Sequence, residues 1–259
     1  MGEQLVLRSE QGGVRTLTLN RSERRNALTP EMQDELIAEF EAAGRDPEVR
    51  VLVLAGAGEV FCAGLDLAAL QAMATKSAEE HEADSRRIAR VFQALYEVPV
   101  PTIAAVHGYA IAGGAGLASI CDYTLALAGS KLGYTETKIG FVPALVSAYM
   151  TLQVGEKHVR ELLLTGRIVT AEEAFRMGLV NEVVPWELRA RVDAVARELM
   201  ECSPAALRAT KGLLAAQNEA WLDAALAEAM KVNAAARETP DFREGIAAFL
   251  EKRPPVWQG

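Results

Sequence analysis

The chain predicts an α/β fold, and two observations carry that prediction. Three apolar runs, VLVLAG at 51–56, TIAAVHG at 102–108 and TLALAG at 124–129, each end in glycine and lead into a turn or a helix. Short runs of this kind read as buried parallel strands, and strand–helix alternation places ligand chemistry at the strands' carboxyl ends. After Pro185 the composition shifts to Ala, Leu, Glu and Arg, so a helical region follows the α/β body.

In chain order, residues 5–7 and 14–19 read as two strands joined at Gly12-Gly13, a hairpin signal. A polar loop with three arginines follows, NRSERRNAL at 20–28. Thr29-Pro30 has the form of an N-cap with proline at the first helical position. Met32, Leu36, Phe40 and Ala43 then repeat at helical spacing, and Gly44 is the expected stop. The strand at 49–55 leads into Phe61-Cys62-Ala63-Gly64-Leu65-Asp66-Leu67. Residues 71–97 predict one or two helices, with 74–84 the least periodic part and the expected lid. The strand at 102–106 turns at His107-Gly108-Tyr109 and enters a Gly-rich helix at Gly113-Gly114-Ala115-Gly116. Residues 131–142 read as a loop with one central carboxylate, Glu136. Helices are expected at 144–154 and 156–164. Thr170-Ala171-Glu172-Glu173 is a capping box for a short helix ending at Gly178, and 179–184 is a last strand. Four helices are expected in the tail, at 186–201, 204–217, 221–238 and 241–252. The reading divides the chain into a core at 1–195 and a helical region at 196–259.

Composition excludes several classes of function. The 259 residues carry 27 Lys and Arg against 35 Asp and Glu, a net charge of −8. No basic excess exists to displace counterions, so nucleic acid is not an expected partner. Three cysteines (Cys62, Cys121, Cys202) with no pairing pattern predict reduced thiols and a cytoplasmic setting. The His and Cys spacings offer no metal site. The N-terminus lacks a basic-then-apolar signal, and no apolar stretch approaches the roughly 20 residues of a membrane span.

The chemistry concentrates at two glycine turns, Ala63-Gly64-Leu65-Asp66 and Ala112-Gly113-Gly114, each after a buried strand. If those strands are neighbours, both turns lie at one edge of the sheet. Two backbone N–H groups then converge on one oxygen, as an enolate or tetrahedral oxyanion requires. Taken alone, a Gly-rich turn serves close packing equally well. By the same standard Glu136 is a loop charge, Arg24 and Arg25 belong to a solvated loop, and Cys62 is a small buried filler.

FCAGLDL, HGYAIAGGAGLASICD, GYTETKIGFVP, LTGR with GLVNEVV, and the ending GIAAFLEKRPP occur in that order. Together, from Val14 to Pro254, they resemble the crotonase superfamily, most nearly its enoyl-CoA hydratases. The resemblance implies a spiral of ββα units with a helical C-terminal oligomerisation region, assembled as a trimer or a dimer of trimers. It implies an acyl-CoA substrate and no separate cofactor or metal, CoA being part of the substrate. The thioester oxygen would be held by the amides of Leu65 and Gly113. CoA would lie along Arg24, Arg25, Ala27, Ala63, Asp66 and Leu67. Phe249 and Lys252, from the C-terminal segment of a neighbouring subunit, would complete the site.

The sequence departs from the pattern at the catalytic acids. A hydratase arrangement resembling this one uses two glutamates around one water. The second corresponds to Glu136, but the first falls on Gly116. The resemblance therefore implies either a hydratase working through Glu136 alone, with an extra water in the space at Gly116, or a Δ3,Δ2-enoyl-CoA isomerase. A branched-chain, methylglutaconyl-type hydratase and a noncatalytic acyl-CoA-binding protein are the further alternatives. Tyr134 is expected to line the acyl pocket and Asp122 to have a structural role.

Overall fold

Parallel pairing of the three glycine-terminated runs organises the molecule. The computed structural model describes residues 4–73 and 76–258. The hairpin β1 (Val6–Gln11) and β2 (Val14–Leu19) leads through one 3-10 turn, Ser22–Arg24, to α1 (Pro30–Arg45). Then come β3 (Val51–Gly56), α2 (Leu67–Met73), α3 (Ala78–Glu97), β4 (Thr102–Val106), β5 (Tyr109–Ile111) and α4 (Gly113–Ile120). The chain continues through β6 (Tyr123–Leu127), β7 (Lys131–Gly133), a 3-10 turn at Glu136–Ile139, α5 (Ala144–Gln153) and α6 (Glu156–Thr165). It ends with β8 (Ile168–Thr170), α7 (Ala171–Met177), β9 (Glu182–Val184), α8 (Leu188–Met200), α9 (Pro204–Ala236) and α10 (Pro240–Glu251).

Six strands form one sheet in the order β1-β2-β3-β4-β6-β9, and β5-β7-β8 form a second. From β2 to β9 the large sheet is parallel. Its core face buries Leu17, Leu52, Leu54, Ala104, Val106 and Ala126 under α1, α3, α4 and α5. The opposite face buries Val51, Val53, Ile103 and Leu125 against Val192, Val195 and Ala196 of α8. The predicted α/β class therefore holds, with apolar residues on both faces of the central strands.

Several elements differ from the sequence reading. Gly44 does not stop α1, which continues to Arg45; a Cβ at Gly44 would stand 3.0 Å from Pro99 Cδ, so this glycine meets a packing need. The two helices expected at 204–217 and 221–238 are one 33-residue helix, α9. Asn218-Glu219-Ala220 contains no proline or glycine to break it. The expected loop at 131–142 holds β7 and the 3-10 turn, elements too short to leave a periodic signal. In the expected lid, Ala74 and Thr75 lie outside the described residues. Ser77 and Glu80 cap α3 reciprocally, with His81 and Asp84 buried, so the remainder is anchored helix. Residues 195 and 196, where the sequence reading divides the chain, lie inside α8, whose apolar face packs on the sheet; Ser203 caps the following helix, α9.

Candidate active site

β3 and β4 lie side by side, and each delivers a turn to the same edge of the sheet. The segment after β3 is laced to β5. Cys62 N donates to Tyr109 O (3.1 Å), and Ile111 N donates to Cys62 O (2.9 Å). This brings Gly64 against the start of α4. A Cβ on Gly64 would lie 2.8 Å from the Ile111 carbonyl oxygen, 2.9 Å from Ala112 Cβ and 3.5 Å from Gly113 N. Gly64 also has φ +90°, so both space and backbone conformation require glycine. Ala112, without that freedom, sits at φ 51°, ψ −122° and is held by its N–H on Gly133 O (2.7 Å). Strained backbone of this kind costs on the order of 1–3 kcal/mol and persists where surrounding structure imposes it.

The amides of Leu65 and Gly113 donate to no described residue. Both residues line one cavity of about 1050 Å³. Two free N–H groups on adjoining turns, one at a helix N-terminus, can together receive a developing oxyanion.

Glu136 opens the 3-10 turn after β7 and lines the same cavity. Only 8 % of it is exposed. Its Oε2 is sealed from solvent with no hydrogen-bond donor. Burial pushes the carboxyl up to about 7 from an ordinary 4.5, although its own backbone N–H opposes the shift. A carboxyl balanced near neutrality beside free donors can take up and return a proton.

Gly116 is buried in α4 and does not line the cavity. A Cβ there would stand 2.6 Å from Val146 Cγ1 and 3.1 Å from Phe92 Cζ. The space where the resemblance places a first glutamate is therefore filled by apolar side chains, and the extra water expected there has no room. Tyr134 is also misplaced by the sequence reading. It is buried behind α4, its hydroxyl directed to Ser119 Oγ (3.2 Å) and Ala115 O (3.4 Å), and it does not line the cavity.

Arg24, Arg25, Ala27, Ala63 and Asp66 line the cavity, as expected of one continuous rim. The Leu67 backbone opens α2, while its side chain lies outside the described residues. Asp66 is committed to the fold. Its Oδ1 accepts from Ala68 N (3.0 Å) and Ala69 N (3.1 Å), and its Oδ2 pairs with Arg21 (3.2 Å). Arg21 also lines the cavity, a position the sequence could not single out among three loop arginines. Phe249 lines the cavity within this single chain. Close approach of α10 to the 3-10 turn explains this: a Cβ at Gly140 would collide with Asp241 O, and one at Gly245 with Ile139 O. Lys252 ends α10 at φ 55° and does not line the cavity.

The arginine loop is held by one residue that sequence reasoning missed. Arg25 and Asn26 both adopt positive φ. Buried Asn26 accepts from Arg21 N (2.9 Å) through Oδ1. Its Nδ2 is shared among the carbonyls of Ala57 (2.8 Å), Val60 (2.8 Å) and Phe61 (3.2 Å). Replacing it by Ala orphans those groups, and the expected loss is about 2–4 kcal/mol of stability. Chemical denaturation of Asn26→Ala checks this; a loss under about 0.5 kcal/mol contradicts the anchoring role.

Residues 9–259 match the family model for enoyl-CoA hydratase/isomerase. The chain belongs to the enoyl-CoA hydratase/isomerase family. A Thermus thermophilus relative is 46% identical over 96% of this chain and 99% of its own. The 2,3-dehydroadipyl-CoA hydratase of Escherichia coli is 34% identical over the full length of both. The solved structure of an enoyl-CoA hydratase from Mycobacterium avium matches this hydratase/isomerase with TM-score 0.88 and 32% identity, covering 99% of this chain and 100% of that one. The predicted crotonase-type fold is thus established, and the chain is an enzyme of the enoyl-CoA hydratase type. Among the described residues no helix is long and apolar enough to cross a membrane. None of them form a His, Cys, Asp and Glu group of metal-binding size.

Proposed function

We propose that this enzyme adds water across the 2,3 double bond of a 2-enoyl-CoA, with Glu136 as its sole carboxylic acid/base. The observation that carries the reading is the buried, near-neutral Glu136 in a cavity that also presents two unbonded amides. Glu136 takes a proton from water as the water oxygen bonds to C3. The displaced electron pair moves to the thioester oxygen, which the Leu65 and Gly113 amides stabilise. Glu136 then gives the proton to C2. Hydrogen bonds aimed at an oxyanion are typically worth about 3 kcal/mol each in the transition state. Arg24, Arg25, Ala27, Ala63, Asp66 and Leu67 form the expected CoA rim, completed by Phe249 and Lys252 of a neighbouring subunit. CoA arrives as part of the substrate, so no separate cofactor is required. Cytoplasmic location and a homotrimer, or a dimer of trimers, complete the reading.

One observation favours a second reading. The apolar wall at Gly116 leaves no place for a second acid. One carboxylate is enough to isomerise a 3-enoyl-CoA, by taking a proton from C2 and returning it to C4. The conjugated enoyl-thioester absorbance separates the two. Its loss with a 2-enoyl-CoA is the expected result. A gain with a 3-enoyl-CoA, and no loss with the 2-enoyl substrate, identifies an isomerase. Acyl-CoA binding with neither change overturns both.

A further inference from the structure

The same cavity holds a polar group that the reaction does not use. Asn233, on α9, lines the cavity yet is only 3 % exposed. Ser85 on α3 and Arg237 at the end of α9 fix which way its amide faces. The Arg237 guanidinium can only donate, and its Nη1 reaches Ser85 Oγ at 2.6 Å. Ser85 Oγ therefore accepts from Arg237 and passes its own hydrogen to Asn233 Oδ1, at 2.8 Å. That occupies the amide's acceptor and leaves Nδ2 free. Nδ2 donates to no described residue and is not sealed from solvent.

The relay behind Asn233 is rigid and buried. Arg237 is fully enclosed, paired with Asp84 (2.6 Å) and stacked 5.2 Å from the centre of the Phe141 ring. Ser85 shares one face of α3 with Ile88 and Phe92, at helical spacing, and those two line the cavity. Phe92 is also, with Val146, one of the residues that wall off Gly116. Asn233 is thus a fixed donor in the cavity wall, behind which stands α3 with the apolar Ile88 and Phe92. A plain hydrocarbon chain laid against it leaves a buried donor without a partner, which sites of this kind penalise strongly.

We propose that Asn233 selects an acyl group carrying an acceptor oxygen (hydroxyl, ketone or carboxylate) in addition to the thioester carbonyl, and donates to it through Nδ2. This rests on the acyl-CoA reading above and names the substrate class within it. The Ser85–Arg237 relay positions the donor and does not touch the substrate.

The test compares 2-enoyl-CoAs of one chain length whose far carbon bears hydrogen, a hydroxyl or a carboxylate. Binding of the matching saturated acyl-CoAs is measured by calorimetry alongside. An oxygen-bearing chain is expected to exceed the plain chain by about tenfold or more in kcat/KM and in affinity. Preference for both oxygenated chains marks a neutral acceptor site; preference for the carboxylate alone shows that the Arg237 charge contributes. Asn233→Asp keeps the shape and the Ser85 bond but replaces the donor by an acceptor, so the preference should vanish. Should that variant not fold, Ser85→Ala, which frees the amide to flip, should reduce the preference instead. Equal or better performance of the plain chain with wild-type protein overturns the proposal. So does a variant that lowers all three in proportion, because Asn233 is then only an anchor between helices. If no substrate turns over but the oxygenated acyl-CoA still binds tenfold tighter, the hydration reading falls and the selectivity stands. If no acyl-CoA binds, both fall.

Discussion

Glu136→Gln is expected to lower kcat by about a thousandfold or more while leaving acyl-CoA affinity within a few-fold of wild type. The side chain keeps its shape and its place on the 3-10 turn, but it can no longer take up or return a proton. CoA recognition rests elsewhere in the proposed site, on the arginine loop and the turn at Ala63. Single-turnover kinetics together with acyl-CoA binding separates the two effects. Turnover near wild type removes Glu136 from the mechanism under both the hydratase and the isomerase readings. The pH dependence follows from the same group. Its carboxyl is raised to about 7, so the reactive carboxylate is the minor form below that pH. kcat/KM should therefore rise about tenfold per pH unit up to about 7 and then level. Stability moves the other way. Folding favours the protonated form, so that contribution is full below about 4.5 and is lost as pH rises through 7. The shift from 4.5 to about 7 corresponds to roughly 3 kcal/mol. Glu136→Gln should thus be more stable than wild type at pH 8, with the difference shrinking toward pH 4. A difference independent of pH contradicts the raised carboxyl.

The elements legible in the sequence were those with strong local rules. Thr29-Pro30, the Thr170 capping box and the three glycine-terminated strands are fixed by neighbours in the chain, and the structure has each of them. The two glycine turns were legible for the same reason, and the pairing of β3 with β4 brings them together. What the sequence missed depends on contacts between distant segments. Asn26 resembles any loop asparagine until its three carbonyl partners, 31 to 35 residues away, are in place. Arg21 is distinguished from Arg24 and Arg25 only by Asp66, 45 residues further on. Asn233 lies about 150 residues from Ser85. Tyr134 fails in the opposite sense. It is two residues from Glu136, yet it lies behind α4, because the chain leaves β7 at Gly133 and Glu136 already belongs to the following 3-10 turn.

Gly116→Glu tests whether the missing first acid can simply be restored, and the expected result is a protein destabilised by about 3–5 kcal/mol. The Cβ alone would sit 2.6 Å from Val146 Cγ1, and both Val146 and Phe92 are almost wholly buried. Overpacking of this kind typically costs about 1–3 kcal/mol. The new carboxyl adds its desolvation, since the side chains against it are apolar and supply no hydrogen bond. Thermal melting should show the variant far less stable, with its deficit growing as pH rises because the ionised form suffers most. Pairing it with Val146→Ala removes the nearest methyl groups and should recover part of the loss. That double variant separates the two readings of the native reaction. If hydration of a 2-enoyl-CoA then rises above wild type, the apolar wall is what holds hydration back. If the double variant folds and hydration is unchanged, one carboxylate already supplies what the reaction needs. A single variant as stable as wild type overturns the packing account, because Phe92 and Val146 would then yield space freely.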